Sequence, residues 1–147
     1  MSVVGIIVVL AVLAVATAVG LVVRARAGRV RATRPTESVD ETSGWALAGL
    51  APDPDDRVLL LQLSSPVCAP CRQTAAALTE LAEQETGLRH VEIDVAEDAE
   101  TARTLHVMRT PTTIAFARDG RELLRVSGVP RRQELLDALD TELAARR

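Results

Sequence analysis

Cys68 and Cys71 are the only two cysteines of this 147-residue chain, and they stand two residues apart as Cys68-Ala69-Pro70-Cys71. That spacing places both sulfurs within one turn at the start of a helix. A helix start aims unpaired N–H groups and the positive end of its dipole at the first sulfur, which favours the thiolate over the thiol. Cys68 is therefore expected to titrate below an ordinary thiol and to attack disulfides. Cys71, one turn on, is placed to attack the resulting mixed disulfide and release reduced substrate. Pro70 has no N–H to lose in a first helical turn, and with Ala69 it shapes the bend between the sulfurs.

Two blander readings of the pair fit less well. A closed zinc site wants four ligands, and His90 and His106 are the residues that would complete one, at spacings unlike the usual knuckle patterns. A purely structural disulfide across three residues closes too small a loop to stabilise much. The chain is therefore expected to use neither a metal nor another cofactor.

The flanking residues must hold this turn. Val58-Leu59-Leu60-Leu61-Gln62-Leu63 is a nearly continuous apolar run, as in a strand buried on both faces, and Ser64, Ser65 and Pro66 end it just before the cysteines. From Cys71 to Glu85 the residues are strong helix formers, with Ala75, Leu78, Leu81 and Ala82 at helical spacing and Gly87 as a stop. His90 to Val95 alternates and predicts a second, parallel strand, and Glu97 to Val107 a second helix with Ala99, Ala102, Leu105 and His106 turned inward. Thr112 to Ala117 predicts a third strand, Asp119-Gly120 a hairpin turn, and Glu122 to Ser127 an antiparallel return. Gly128 breaks that strand, and a last helix opening at Pro130 carries Leu135, Leu136, Leu139 and Leu143. The expected class is α/β, a central mixed β-sheet flanked by helices.

From about Trp45 to Arg147 the chain resembles the thioredoxin family, in the Cys-x-x-Cys turn after a buried strand, the Thr110-Pro111 step, the Asp119-Gly120 hairpin and Gly128 before a terminal amphipathic helix. The resemblance implies a thioredoxin-like fold and a thiol–disulfide oxidoreductase that acts on protein or small-molecule disulfides, with Cys68 and Cys71 catalytic. It also implies a cis bond before Pro111, and a substrate groove in which the backbone of Thr110 hydrogen-bonds an extended substrate segment. Two residues depart from the family pattern. Gln62 stands where a buried aspartate usually helps deprotonate the resolving thiol, and an amide is no general base. Val67 stands where a tryptophan usually offers flat contact area to a partner, which points to a narrower substrate range. These departures keep open a non-catalytic, binding or redox-sensing module, since fold alone does not establish activity. Pro70 before the resolving cysteine, and the absence of histidine between the two, resemble the reducing members.

Ser2 to Val23 carries no charged side chain and is long enough to cross a hydrocarbon core of about 30 Å, so residues 1–23 are expected to form a single transmembrane helix. A cleaved secretory signal is the alternative; Ala14, Ala16 and Ala18 are of cleavage type, but no positive region precedes the apolar stretch. Residues 24–56 read as a basic flank and linker, with Trp45, Leu47 and Leu50 a short amphipathic piece against the domain edge. Residues 57–147 form the domain itself. Arg24, Arg26, Arg29, Arg31 and Arg34 all follow the apolar segment, which by the positive-inside rule puts the domain in the cytoplasm and the N-terminus outside. An extracytoplasmic domain, frequent among tethered relatives, is the alternative.

All 17 basic residues are arginine, against 20 acids. With five arginines in the membrane flank, the remainder is acidic and is not expected to bind nucleic acid. Arginine without lysine, beside abundant Ala and Val, is the usage of a high-GC bacterium.

Overall fold

The computed structural model describes residues 3–26, 30–32 and 44–144. Its elements are α1 (Val3–Arg26), β1 (Val30–Ala32), α2 (Gly44–Leu47), β2 (Val58–Ser64), α3 (Ala69–Gln84), β3 (Leu88–Asp94), α4 (Ala99–Thr104), β4 (Thr112–Ala117), β5 (Glu122–Ser127) and α5 (Arg132–Ala144). One five-stranded sheet has the order β1-β5-β4-β2-β3. β2 and β3 are parallel, joined by the crossover helix α3, while β2–β4, β4–β5 and β1–β5 are antiparallel.

β2 explains the architecture. All seven of its residues are buried because both faces of the sheet are covered. On one face Val58 and Leu60 pack with Leu78 and Leu81 of α3 and with Leu135 and Leu139 of α5. On the other, Leu59, Leu61 and Leu63 pack with Trp45, Leu105, Ile114 and Phe116. The expected mixed sheet between helices is thus the fold.

Several local expectations give way to tertiary packing. Trp45 does not lie on the domain edge; it is 2% exposed in the core, and its Nε1 donates to the Ala117 carbonyl at 2.9 Å, so the indole buries its area without stranding its N–H. Gly44 allows this, since a Cβ there would collide with the Phe116 ring. α4 is shorter than the sequence suggests. Asp98 caps it, accepting from the Thr101 N–H at 2.9 Å, and it ends where His106 takes φ 52°, which turns that imidazole out to solvent instead of inward. β1 is the third surprise. Val30–Ala32, expected within the basic flank, pairs with β5 and covers backbone groups that an edge strand would otherwise leave open.

Candidate active site

The redox pair sits where β2 hands over to α3. Cys68 is the N-cap of that 16-residue helix, with extended dihedrals, and its Sγ accepts the Cys71 N–H at 3.2 Å. The two cysteines are joined in a disulfide with Cα atoms 5.2 Å apart. Their environments differ. Cys68 is half-buried, whereas Cys71 is 1% exposed beneath the helix, so Cys68 offers the sulfur an incoming group can reach. Ala69 and Pro70 occupy the exposed first turn, where a proline costs no intrahelical bond.

Pro111 lies at the same end of the sheet. It follows a cis Thr110–Pro111 bond, is buried, and its carbonyl accepts the Gly128 N–H at 2.8 Å, tying it to the end of β5. The next residue, Thr112, is in register with Leu63 at the end of β2, and its hydroxyl donates to the Arg109 carbonyl at 2.8 Å, closing the loop that carries Thr110. The structure therefore gathers Cys68, Cys71, Thr110 and Pro111 at one end of the sheet. Val67 is there too, 91% exposed beside Cys68.

Gln62 is fully buried below Cys71 and held from several directions. Its Nε2 donates to the Cys71 carbonyl at 3.1 Å and to Glu92 Oε1 at 3.3 Å, and its Oε1 lies 3.2 Å from His90 Nε2. His90 Nδ1 is in turn 3.2 Å from the Thr79 hydroxyl. A neutral imidazole with its proton on Nε2 satisfies both contacts, donating to Gln62 and accepting from Thr79. Burial pushes the His90 pKa below its ordinary value, with Glu92 opposing more weakly. His90, well separated from the cysteines along the chain, is thus one amide away from the backbone of Cys71. Sequence spacing hid this, because the link runs across the β2–β3 ladder, where Leu60 is opposite His90 and Gln62 opposite Glu92. Thr113, opposite Gln62 on β4, and Thr74 on α3 are fully buried, and their hydroxyls have no hydrogen-bond partner among the described residues.

One residue escaped the sequence reading. Met108 is 93% exposed, two positions before Thr110. Its signal was a large apolar side chain in a loop between a helix and a proline, with no period to bury it.

Comparisons with known proteins agree with this geometry. A family model described as Thioredoxin matches residues 51–141. The thioredoxin of Staphylococcus aureus is 36% identical over 77 residues, covering 52% of this chain and 73% of that one. The thioredoxin of Mycobacterium tuberculosis is 38% identical over 73 residues, covering 49% and 62%. NADPH-dependent thioredoxin reductase 3 of Arabidopsis thaliana is 35% identical over 86 residues, 57% of this chain but 16% of that one. The chain thus spans less than two thirds of the length of the last two relatives. Among solved structures, Fasciola hepatica thioredoxin superposes with a TM-score of 0.53 at 25% identity, covering 60% of this chain and 83% of that one. A mutant thioredoxin from Halobacterium salinarum gives a TM-score of 0.55 at 30% identity, covering 60% and 76%.

Proposed function

The chain belongs to the thioredoxin family, and from that premise we propose that it is a membrane-anchored thiol–disulfide oxidoreductase that works as a disulfide reductase. The observation that carries this is the asymmetry of the pair: Cys68 Sγ reachable and facing the N–H groups of a helix start, Cys71 buried one turn behind it. In the reduced protein the Cys68 thiolate attacks one sulfur of a substrate disulfide. A Cys68–substrate disulfide forms, the substrate S–S bond breaks, and the leaving thiolate takes a proton from solvent. Cys71 then gives up its proton and attacks Cys68 Sγ, closing the Cys68–Cys71 disulfide and expelling the second substrate thiolate, which is protonated in turn. Two electrons pass from the protein dithiol to the substrate. Thr110 offers its backbone to an extended substrate beside Pro111, and Val67 lines the approach to Cys68. Gln62 is no base, so the Cys71 proton leaves by another acceptor, and the substrate range is narrow.

The anchor is α1. Its Gly5–Val22 window has a mean hydropathy of 2.8 and none of it is buried in protein. Thr17, a hydroxyl within that window, donates to the Leu13 carbonyl at 2.8 Å, so it needs no water. Residues 1–23 span the membrane and 57–147 carry the redox domain, with a lead-in from about 45; the connecting residues 24–56 also lend that domain strand β1 and the core residue Trp45. The arginines after the span support a cytoplasmic domain, and its partners are protein or small-molecule disulfides.

Turnover tests the reading. The full chain in detergent micelles, with dithiothreitol as electron source, is expected to accelerate insulin reduction, and Cys68→Ser to remove the acceleration. A rate unchanged by Cys68→Ser overturns the oxidoreductase and leaves a binding module. A reporter fused to the C-terminus that is active only outside the cytoplasm overturns the topology.

A further inference from the structure

Three residues separate Arg26, the end of α1, from Val30, the start of β1. Four Cα steps reach at most about 14 Å, so the beginning of β1 stays close to the end of the membrane helix. β1 pairs antiparallel with β5 in the register Val30↔Val126 and Ala32↔Leu124. The end of the sheet nearest α1 is therefore the end where β5 finishes. β4 begins there, with Thr112 opposite Ser127, and β2 finishes there, with Leu63 opposite Thr112. Cys68 follows β2 at that same end. Three strand spacings, about 14 Å, separate β1 from β2 laterally.

Resting on the reading of α1 as an anchor, we infer that the Cys68–Cys71 end of the domain faces the bilayer, and that its substrate is a disulfide held at the membrane surface in a second membrane protein. A three-residue connection into a hydrogen-bonded strand is too short for the domain to turn over freely. The surface fits the same partner. Outside α1, the large apolar side chains that stand exposed among the described residues are Val67 and Met108, at 91% and 93%, and both flank the redox pair. At that end of the sheet they offer apolar contact to the residues around a substrate cysteine close to the lipid. Exposed Arg72 and Arg109 lie beside them, favourable toward an anionic surface. Exposed acids stand at the opposite end, with Asp53 and Asp119; at the cysteine end Glu92, Glu97 and Glu100 are exposed as well, but on or just after β3, the strand farthest from β1. The chemistry is the exchange given above, with two electrons passing from the Cys68/Cys71 dithiol to the partner's disulfide.

The test uses the full chain in vesicles of phosphatidylcholine and phosphatidylglycerol. In a Cys68→Ser, Cys71→Ser background, a fluorophore is placed at Met108→Cys or at Asp119→Cys and quenched by headgroup spin-labelled lipid. Several-fold stronger quenching at position 108 is expected; equal or stronger quenching at 119, with the protein still floating with the vesicles, overturns the orientation while leaving the anchor. Protein that does not float overturns the anchor and this inference with it. In parallel, reduced wild-type protein meets lipid-anchored peptides whose disulfide is either next to the anchor or behind a long flexible spacer. The short-spacer peptide is expected to be reduced at least as fast as the long one. Reduction of the long-spacer peptide and of insulin, with the short-spacer peptide untouched, overturns the membrane-surface substrate and leaves the oxidoreductase standing.

Discussion

The two ends of the sheet are built on opposite terms. At the end away from the cysteines, polar groups are paired and the aromatic core is closed. Arg89 bridges Asp53 at 2.9 Å and Asp56 at 3.2 Å, Arg118 donates to the carbonyls of Asp53 and Asp56, and the Trp45 indole is anchored on Ala117. At the cysteine end, large apolar side chains are exposed, Thr113 and nearby Thr74 are buried without a partner, and the peptide before Pro111 is cis. The first arrangement is what stability asks for. The exposed apolar side chains are what a binding surface asks for, since each is unfavourable until something arrives to cover it.

The sharpest break in this comparison comes from Cys68. Cys68→Ser is expected to bring disulfide reduction to the uncatalysed background, while Cys71→Ser traps a covalent mixed disulfide detectable as a mass increase. Retained turnover in both variants contradicts the roles assigned. At the opposite end the large effect is on stability: Trp45→Ala should cost about 3–5 kcal/mol in urea unfolding, because it empties a core site and removes one of the two hydrogen bonds to the Ala117 carbonyl, which keeps the Gly120 N–H. Thr113→Val should raise stability by about 1 kcal/mol, since a methyl replaces a hydroxyl with no partner; a destabilised variant would mean that this hydroxyl is satisfied in solution.

The pH dependence follows from His90. Burial lowers its folded pKa, so the unfolded chain takes up this proton first as pH falls through about 6.5. The stability due to this group is full above that pH and declines below it, until the folded state titrates as well. Urea midpoints should therefore drop more between pH 7.5 and 5.5 in the wild type than in His90→Gln, and equal drops contradict a buried neutral imidazole. The smallest effect belongs to Arg89→Ala, within about 1 kcal/mol, as Arg89 is partly exposed and the nearer of its two carboxylate partners, Asp53, stands largely in water. A larger loss would make the ion pairs at that end a structural centre instead of a solvated rim.

Much of this was legible along the chain because it is local. The continuous apolar run at Val58–Leu63 announced a doubly covered strand, the alternation and the Asp119-Gly120 turn announced the hairpin, and the two-residue spacing put Cys68 and Cys71 on one turn. Each depends on residues within a few positions of one another, where the periods of helix and strand act directly. What the sequence left undecided depends on partners far along the chain. Trp45 looked peripheral until Ala117 and Phe116, some seventy residues on, closed around it. His90 looked unconnected until the β2–β3 register set it beside Gln62. Val30–Ala32 is too short to declare itself a strand, and only the open edge of β5 makes it one. Local pattern alone announces that a dithiol follows a buried strand and that a long apolar helix precedes it. Which end of the sheet holds both the start of β1 and the dithiol emerges from the folded sheet, because strand direction and order arise from hydrogen-bonded registers that no local pattern encodes.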